Sequence, residues 1–278
     1  MAMAPLVVTD LDGTLLGPDV RLSPFALEGL NRLIAGGLAF SFATARSHQT
    51  AYPLMRQVDV RLPVIVYGGV VLADFRSGKT LLARTMAPAV ARAVLAEAAA
   101  RGLQPFLYTD TGSHHVYYET ITNAGQQHYL TSCAGDPRFQ QVPRLMDRVG
   151  EPVLEMNFIA AYEALWPLAD ALQQGHAAAL TILLEEDIYA KGYHWLRLAD
   201  RMASKRDMLV ELAGRTGHDL RETIVFGDNL TDVGMFEVAG TTVAVENARP
   251  EVKARAHVVI PPNGQDGVVR FLLDRFAR

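Results

Sequence analysis

Strand-length apolar runs and helical repeats alternate along the first ninety residues. Residues 5–9 form an apolar run that ends at Asp10-Leu11-Asp12-Gly13. Ser23-Pro24 has the form of an N-cap followed by proline at the first helical position. Leu27, Leu30, Leu33 and Ile34 continue that helix at three- and four-residue spacing, and Gly36-Gly37 ends it. Residues 38–43 predict the next strand, 47–58 a helix, and 63–66 a third strand closed by Gly68-Gly69. Strand, helix and strand at this spacing predict right-handed parallel crossovers, hence an open parallel sheet.

A hairpin is predicted next, residues 70–74 and 80–83 flanking Arg76-Ser77-Gly78-Lys79. From residue 84 the pattern changes. Helices at 88–101, 122–133 and 161–173 alternate with short strands around 105–108, 115–118, 153–159 and 178–184, an α+β arrangement with hairpins. The parallel pattern then returns. A helix opens at Lys205, and residues 222–226 form a strand ending in Gly227-Asp228-Asn229. Two further strands, 241–245 and 257–260, accompany helices at 249–256 and 266–276. The expected architecture is α/β: a doubly wound parallel-sheet core of residues 1–83 and 198–278, with an α+β cap domain, 84–197, inserted into it.

Charge separates the same two regions. Residues 84–190 hold six Lys/Arg and twelve Asp/Glu, net −6, which leaves +2 for the rest of a chain whose total is −4. No basic stretch marks a nucleic-acid or membrane surface, so neither is expected as a partner. An apolar fraction of 50% with 20% charged residues is that of a soluble globular protein. Cys133 is the only cysteine, which rules out an intramolecular disulfide and a cysteine-built metal site. No apolar run reaches the roughly 18 residues of a membrane span, and the N-terminus lacks the pattern of a signal peptide. A cytoplasmic setting is expected.

Three polar sites stand at the carboxyl ends of predicted parallel strands: Asp10 with Asp12, Thr44, and Asp228. In open α/β sheets those ends line the binding crevice. Each alone has an ordinary explanation, since Asp12-Gly13 and Gly227-Asp228-Asn229 suit turns and Thr44 suits a helix cap. Those explanations do poorly when all three fall on one sheet edge. The set suits phosphoryl transfer through a covalent aspartate. A carboxylate that attacks a phosphate dianion must overcome repulsion, which Mg²⁺ held by Asp10 and Asp228 would relieve. Asp12, two residues past the nucleophile, suits general acid and base catalysis. Thr44 and Lys205 are candidates to hold the non-bridging phosphate oxygens.

These residues carry a family resemblance. Asp10-Leu11-Asp12-Gly13-Thr14-Leu15-Leu16 resembles the first motif of the haloacid dehalogenase superfamily of phosphatases. Ala43-Thr44-Ala45-Arg46 resembles its second motif, Ser204-Lys205 its lysine motif, and Gly227-Asp228-Asn229-Leu230-Thr231-Asp232 its last acidic motif. Their order, and the insertion between the second and third, resemble the Cof-type branch with its large α/β cap. Val243-Ala244-Val245-Glu246-Asn247-Ala248 and Asn263-Gly264-Gln265-Asp266-Gly267-Val268 resemble that branch's closing segments. The resemblance implies Asp10 as nucleophile and Mg²⁺ ligand, Asp12 as acid/base and ligand through its backbone carbonyl, and Asp228 as the remaining ligand. It implies phosphate contacts by Thr44 and Lys205, a substrate contact by Arg46, and support from Asp232 and Thr231. The substrate would be a small phosphorylated, sugar phosphate-like metabolite.

The chain departs from the family pattern at Tyr67 and Thr231, where asparagine is usual, and at Glu246, where glycine is usual. Tyr67 reads as the last core residue of its strand. His114-His115 would point to opposite faces of a strand and so does not predict a metal site. Two other functions share this architecture: a phosphomutase using the same aspartates, and a non-catalytic binding protein.

Overall fold

In the computed structural model, which describes residues 4–187 and 190–276, the first apolar run is β1 (Leu6–Thr9), with all four side chains buried. A strand buried on both faces, with no polar alternation, is what a parallel sheet covered by helices requires. Helix α1 (Pro24–Ala35) begins where expected: the Ser23 hydroxyl accepts the Ala26 N–H at 2.9 Å, with Pro24 in the first turn. Its Leu30, Leu33 and Ile34 are buried as one stripe. Strand β2 (Ala39–Phe42), helix α2 (His48–Met55) and strand β3 (Val64–Val66) follow. With β4 (Val71–Ala73) and β5 (Thr80–Ala83), β3 forms a three-stranded sheet. A single parallel bridge, Ala43 to Ile65, ties β3 to the end of β2.

After the insertion come α6 (Lys205–Thr216), β12 (Ile224–Gly227), α7 (Val233–Phe236), β13 (Thr241–Val245), α8 (Pro250–Lys253), β14 (Val258–Ile260) and α9 (Gly267–Phe276). The parallel sheet has the order β14-β13-β12-β1-β2. From β1 the chain winds outward to β2, and from β12 outward the other way to β13 and β14. The reversal falls between β1 and β12, the place where the crevice of a doubly wound sheet opens.

The inserted segment contains α3 (Pro88–Ala99), β6 (Phe106–Asp110), β7 (His114–Tyr118), α4 (Ala124–Ser132), β8 (Phe139–Gln141), β9 (Val153–Ala160), α5 (Tyr162–His176), β10 (Leu180–Glu186) and β11 (His194–Asp200). Its sheet has the order β10-β11-β9-β6-β7-β8. Val94 of α3 and Leu165, Leu168 and Leu172 of α5 share one core with Met156, Phe158, Leu196 and Leu198 of the sheet.

Two of these strands are absent from the sequence reading. β8 is only three residues long, too short to show a period. β11 buries Leu196 and Leu198, but they alternate with the less buried Trp195 and Arg197, which leaves only a short apolar signal. That strand also corrects the expected boundary. The chain separates into one unit of Met1–Leu82 with Ser204–Arg278, and another of Ala83–Ala203. The insertion therefore ends at Ala203, not at residue 197, because β11 keeps pairing as far as Asp200, opposite Leu180. It begins one residue early, at Ala83 rather than 84. Among the described residues, no helix is long and apolar enough to cross a membrane.

Gly69 lies in the turn after β3 with φ +102°, and a Cβ built there would sit 2.1 Å from the Ser204 carbonyl carbon. The turn thus presses on the backbone at the start of α6. Gly69→Ala should destabilise the protein by about 2–4 kcal/mol, from backbone strain plus the displaced helix. Urea unfolding reads this directly; an unchanged midpoint would mean that α6 moves aside freely.

Candidate active site

Asp10 follows β1 directly, and its backbone N–H donates to Phe226 O at 3.0 Å, which continues the ladder between β1 and β12. Asp228 follows β12. Two neighbouring strands therefore end in a carboxylate each, on either side of the topological switch. Asp10, at 6% exposure, accepts a hydrogen bond from Lys205 Nζ at 2.6 Å through Oδ1. The same ammonium donates to Asp232 Oδ1 at 2.6 Å. Lys205 opens α6, whose cap is Ser204, the hydroxyl accepting Asp207 N–H at 3.0 Å.

The carboxylates of Asp10, Asp228 and Asp232 gather with one oxygen of each within 4.8 Å of the others. Their roles differ. Asp232 is fully engaged: Oδ1 takes Lys205, and Oδ2 accepts the N–H groups of Asp228 and Asn229, both at 3.0 Å. It braces the turn Leu230–Asp232 in a reciprocal cap with Asn229. Asp228 accepts the Thr14 hydroxyl at 2.6 Å through Oδ1. Asp10 and Asp228 each keep Oδ2 outside these bonds, so they are the pair that could hold a metal ion.

The electrostatics point the same way. Burial raises the Asp10 carboxyl well above its ordinary range against the pull of Lys205, with Asp232 and Asp228 adding to the rise. Burial likewise pushes Asp228 up to about 6, opposed by the Thr14 hydroxyl. Lys205 is held above its ordinary value: burial would lower it, but Asp10 and Asp232 outweigh that. When ionised, three carboxylates around one ammonium leave two negative charges unmatched. An all-oxygen donor set with that excess fits a hard divalent cation.

Asp12 lies in the tight loop Leu11–Leu15, and its side chain turns to Arg46. The guanidinium forks onto both carboxylate oxygens, Nε to Oδ2 at 2.7 Å and an Nη to Oδ1 at 2.6 Å. This pairing has no signal in the sequence spacing. Thr44 is buried at the end of β2, and its Oγ1 accepts the Arg46 N–H at 3.1 Å. It does not cap α2; Ser47 does, accepting Thr50 N–H. Thr231 stands in the turn beside Asp232 and makes no side-chain hydrogen bond among the described residues.

Tyr67 is not the last residue of its strand, which stops at Val66. It begins a turn at φ +52° and is 3% exposed. Its N–H donates to Arg46 O at 2.8 Å and that of Gly68 to Thr44 O at 2.9 Å, so the turn supports both ends of the Thr44–Arg46 segment. Asparagine enters this left-handed region far more readily than tyrosine, which accounts physically for the usual residue there. Glu246 has no positive φ, so glycine is not required at that position.

Lys205→Met, similar in length but uncharged, should cost about 3–5 kcal/mol at pH 7.5, because it strands buried carboxylates. Asp10 then loses the group that lowers it, so the folded variant holds a proton that the unfolded chain has released. The deficit should shrink as pH falls toward the ordinary carboxylate range. Urea unfolding at several pH values checks this; a loss independent of pH would exclude the electrostatic account.

A sequence profile described as haloacid dehalogenase-like hydrolase matches residues 7–272. Among curated proteins, the pyridoxal phosphate phosphatase YbhA of Escherichia coli is 28% identical, with 96% of this chain and 97% of that protein covered. An HMP-PP phosphatase of Serratia proteamaculans is 26% identical, with 91% of this chain and 87% of that protein covered. Among solved structures, that of TM0651 from Thermotoga maritima superposes with a TM-score of 0.82 at 25% identity, over 98% of this chain and 97% of that one. The profile spans both segments that carry the carboxylate cluster as well as the insertion between them, and the chain belongs to the haloacid dehalogenase-like hydrolase family.

Proposed function

We propose that this protein is a Mg²⁺-dependent phosphatase that cleaves a small phosphorylated metabolite through an aspartyl-phosphate on Asp10. The observation that carries this reading is the Asp10 carboxylate at the switch point, fixed by Lys205 and adjacent to Asp228. The relatives named as phosphatases of pyridoxal phosphate, HMP-PP and 5-amino-6-(5-phospho-D-ribitylamino)uracil support a small phosphorylated substrate.

Asp10 attacks phosphorus, and the bond to the leaving oxygen breaks. Asp12 gives that oxygen a proton, then takes one from the water that attacks the phosphoaspartate. Inorganic phosphate leaves and Asp10 is restored. Thr44 has its oxygen engaged by Arg46 N–H, so its hydroxyl proton is available to a phosphate oxygen. Lys205 keeps Asp10 oriented and supplies positive charge as the phosphoryl group transfers. Arg46 holds Asp12 and is the candidate contact for a polar group of the substrate. Mg²⁺ would be held by Asp10 and Asp228 with the Asp12 carbonyl, and would offset the repulsion between carboxylate and phosphate.

Protons compete for the same ligands. Because burial raises both Asp10 and Asp228, the latter to about 6, Mg²⁺ affinity should fall as pH drops through that range and protons occupy the ligands. Calorimetric titrations at pH 7.5 and pH 5 measure this, and equal affinities would remove Asp228 from the ligand set.

The two aspartates of the first loop separate in a second experiment. Asp10→Asn should form neither phosphoenzyme nor product from any ester. Asp12→Asn should slow alkyl phosphates by about 10²–10⁴-fold, since an alkoxide leaves poorly without its proton. A nitrophenolate leaves unaided, so this variant should release a burst of nitrophenol and stall with label on Asp10. Equal slowing of both ester types, without a burst, would sink the acid/base role of Asp12.

A further inference from the structure

The loop that carries Asp12 is fastened both from within and from outside. Its closing backbone bond is Leu16 N–H to Leu11 O at 2.9 Å, and Gly13 within it takes φ +80°. Two of its other carbonyls are held from outside, by residues more than two hundred positions away. Asn247 Nδ2 donates to Gly13 O at 2.7 Å, and Asn263 Nδ2 donates to Leu16 O at 2.8 Å.

The two asparagines also hold each other. Asn263 N–H donates to Asn247 Oδ1 at 2.9 Å. That contact settles the orientation of the Asn247 amide: its oxygen must face the Asn263 N–H, so its NH₂ must face Gly13 O. The result is a bracket across the loop, from Leu16 through Asn263 and Asn247 back to Gly13. The same segment reaches the other side of the site, where Arg249 N–H donates to Asp228 O at 3.0 Å. Asparagines that satisfy loop carbonyls are common. Here both act on one short loop, and the residue beside a bracketed carbonyl is Asp12.

We propose that Asn247 and Asn263 are positioning residues for the proton transfers of Asp12, a role that rests on the acid/base reading above. They hold the backbone on which Asp12 swings between the leaving oxygen and the water, while Asp10 is held independently by β1 and Lys205. Small misplacements of a proton donor cost rate steeply. The bracket therefore acts more on the steps that need the Asp12 side chain than on the attack by Asp10.

The test uses the full chain with Asn247→Asp, which keeps the shape and the acceptor for Asn263 N–H but sets an oxygen against Gly13 O. Asn247→Ala serves as a second variant; Asn247 is exposed, so neither change opens a cavity. Both should lower kcat on alkyl phosphates by about 10²-fold with KM little changed. Both should retain the nitrophenol burst and accumulate phosphoenzyme, as Asp12→Asn does. Equal losses on alkyl and aryl esters that follow a lowered unfolding midpoint would show a merely structural role and overturn the proposal, as would wild-type rates in either variant. If Asp12→Asn itself shows no dependence on the leaving group, the acid/base reading fails and the proposal falls with it. Asn247 variants that fail while Asp12→Asn behaves as expected overturn the bracket alone.

Discussion

The site depends on one ammonium group. Lys205 Nζ bonds Asp10 and Asp232 at 2.6 Å each, and through them joins the end of β1, the start of α6 and the turn after β12. Without it, buried like charges would face one another at short range, and repulsion in so dry a place is severe. Asp232 then extends the connection by accepting two backbone N–H groups, so a charge pair also fixes the direction in which Asp228 leaves its strand. A bridge of this kind is poor evidence of net stability. Its value is geometric: it places the Asp10 carboxylate beside that of Asp228 without neutralising both.

The division of labour among the four aspartates follows from what surrounds each. Asp232 has every oxygen committed to this chain and is structural. Asp10 and Asp228 are each bonded through one oxygen, and burial raises both, so they are poised for a cation or a proton. Asp12 lies outside the cluster and is paired with the Arg46 guanidinium. Four identical side chains thus acquire three behaviours from solvent access and hydrogen bonding.

Much of this was legible in the sequence, for identifiable reasons. β1, α1, β12 and β13 have clean apolar runs or capping signals, and a carboxylate directly after a parallel strand has few places to point. The insertion was visible through its broken pattern and its acidic charge. β11 was not legible because Leu196 and Leu198, alternating with Trp195 and Arg197, make too short an apolar signal, and the domain boundary moved with it. The fork of Arg46 on Asp12, the left-handed Tyr67 and the asparagine bracket could not be read, since each depends on contacts between segments that spacing does not encode. Asn247 and Asn263 stood inside segments recognisable by resemblance, yet only their hydrogen bonds say what they touch.

The pairing of β1 with β12 has a consequence for how the chain is made. β1 sits inside the parallel sheet, but the strand on one of its sides begins at Ile224. As the protein leaves the ribosome, β1 and β2 can pair early, and all six strands of the insertion emerge before β12 exists. During that interval the nascent core presents an unpaired strand edge with free backbone N–H and C=O groups, the kind of surface that invites wrong partners. The cluster of Asp10, Asp228 and Asp232 therefore cannot assemble until the segment after the insertion has returned to β1.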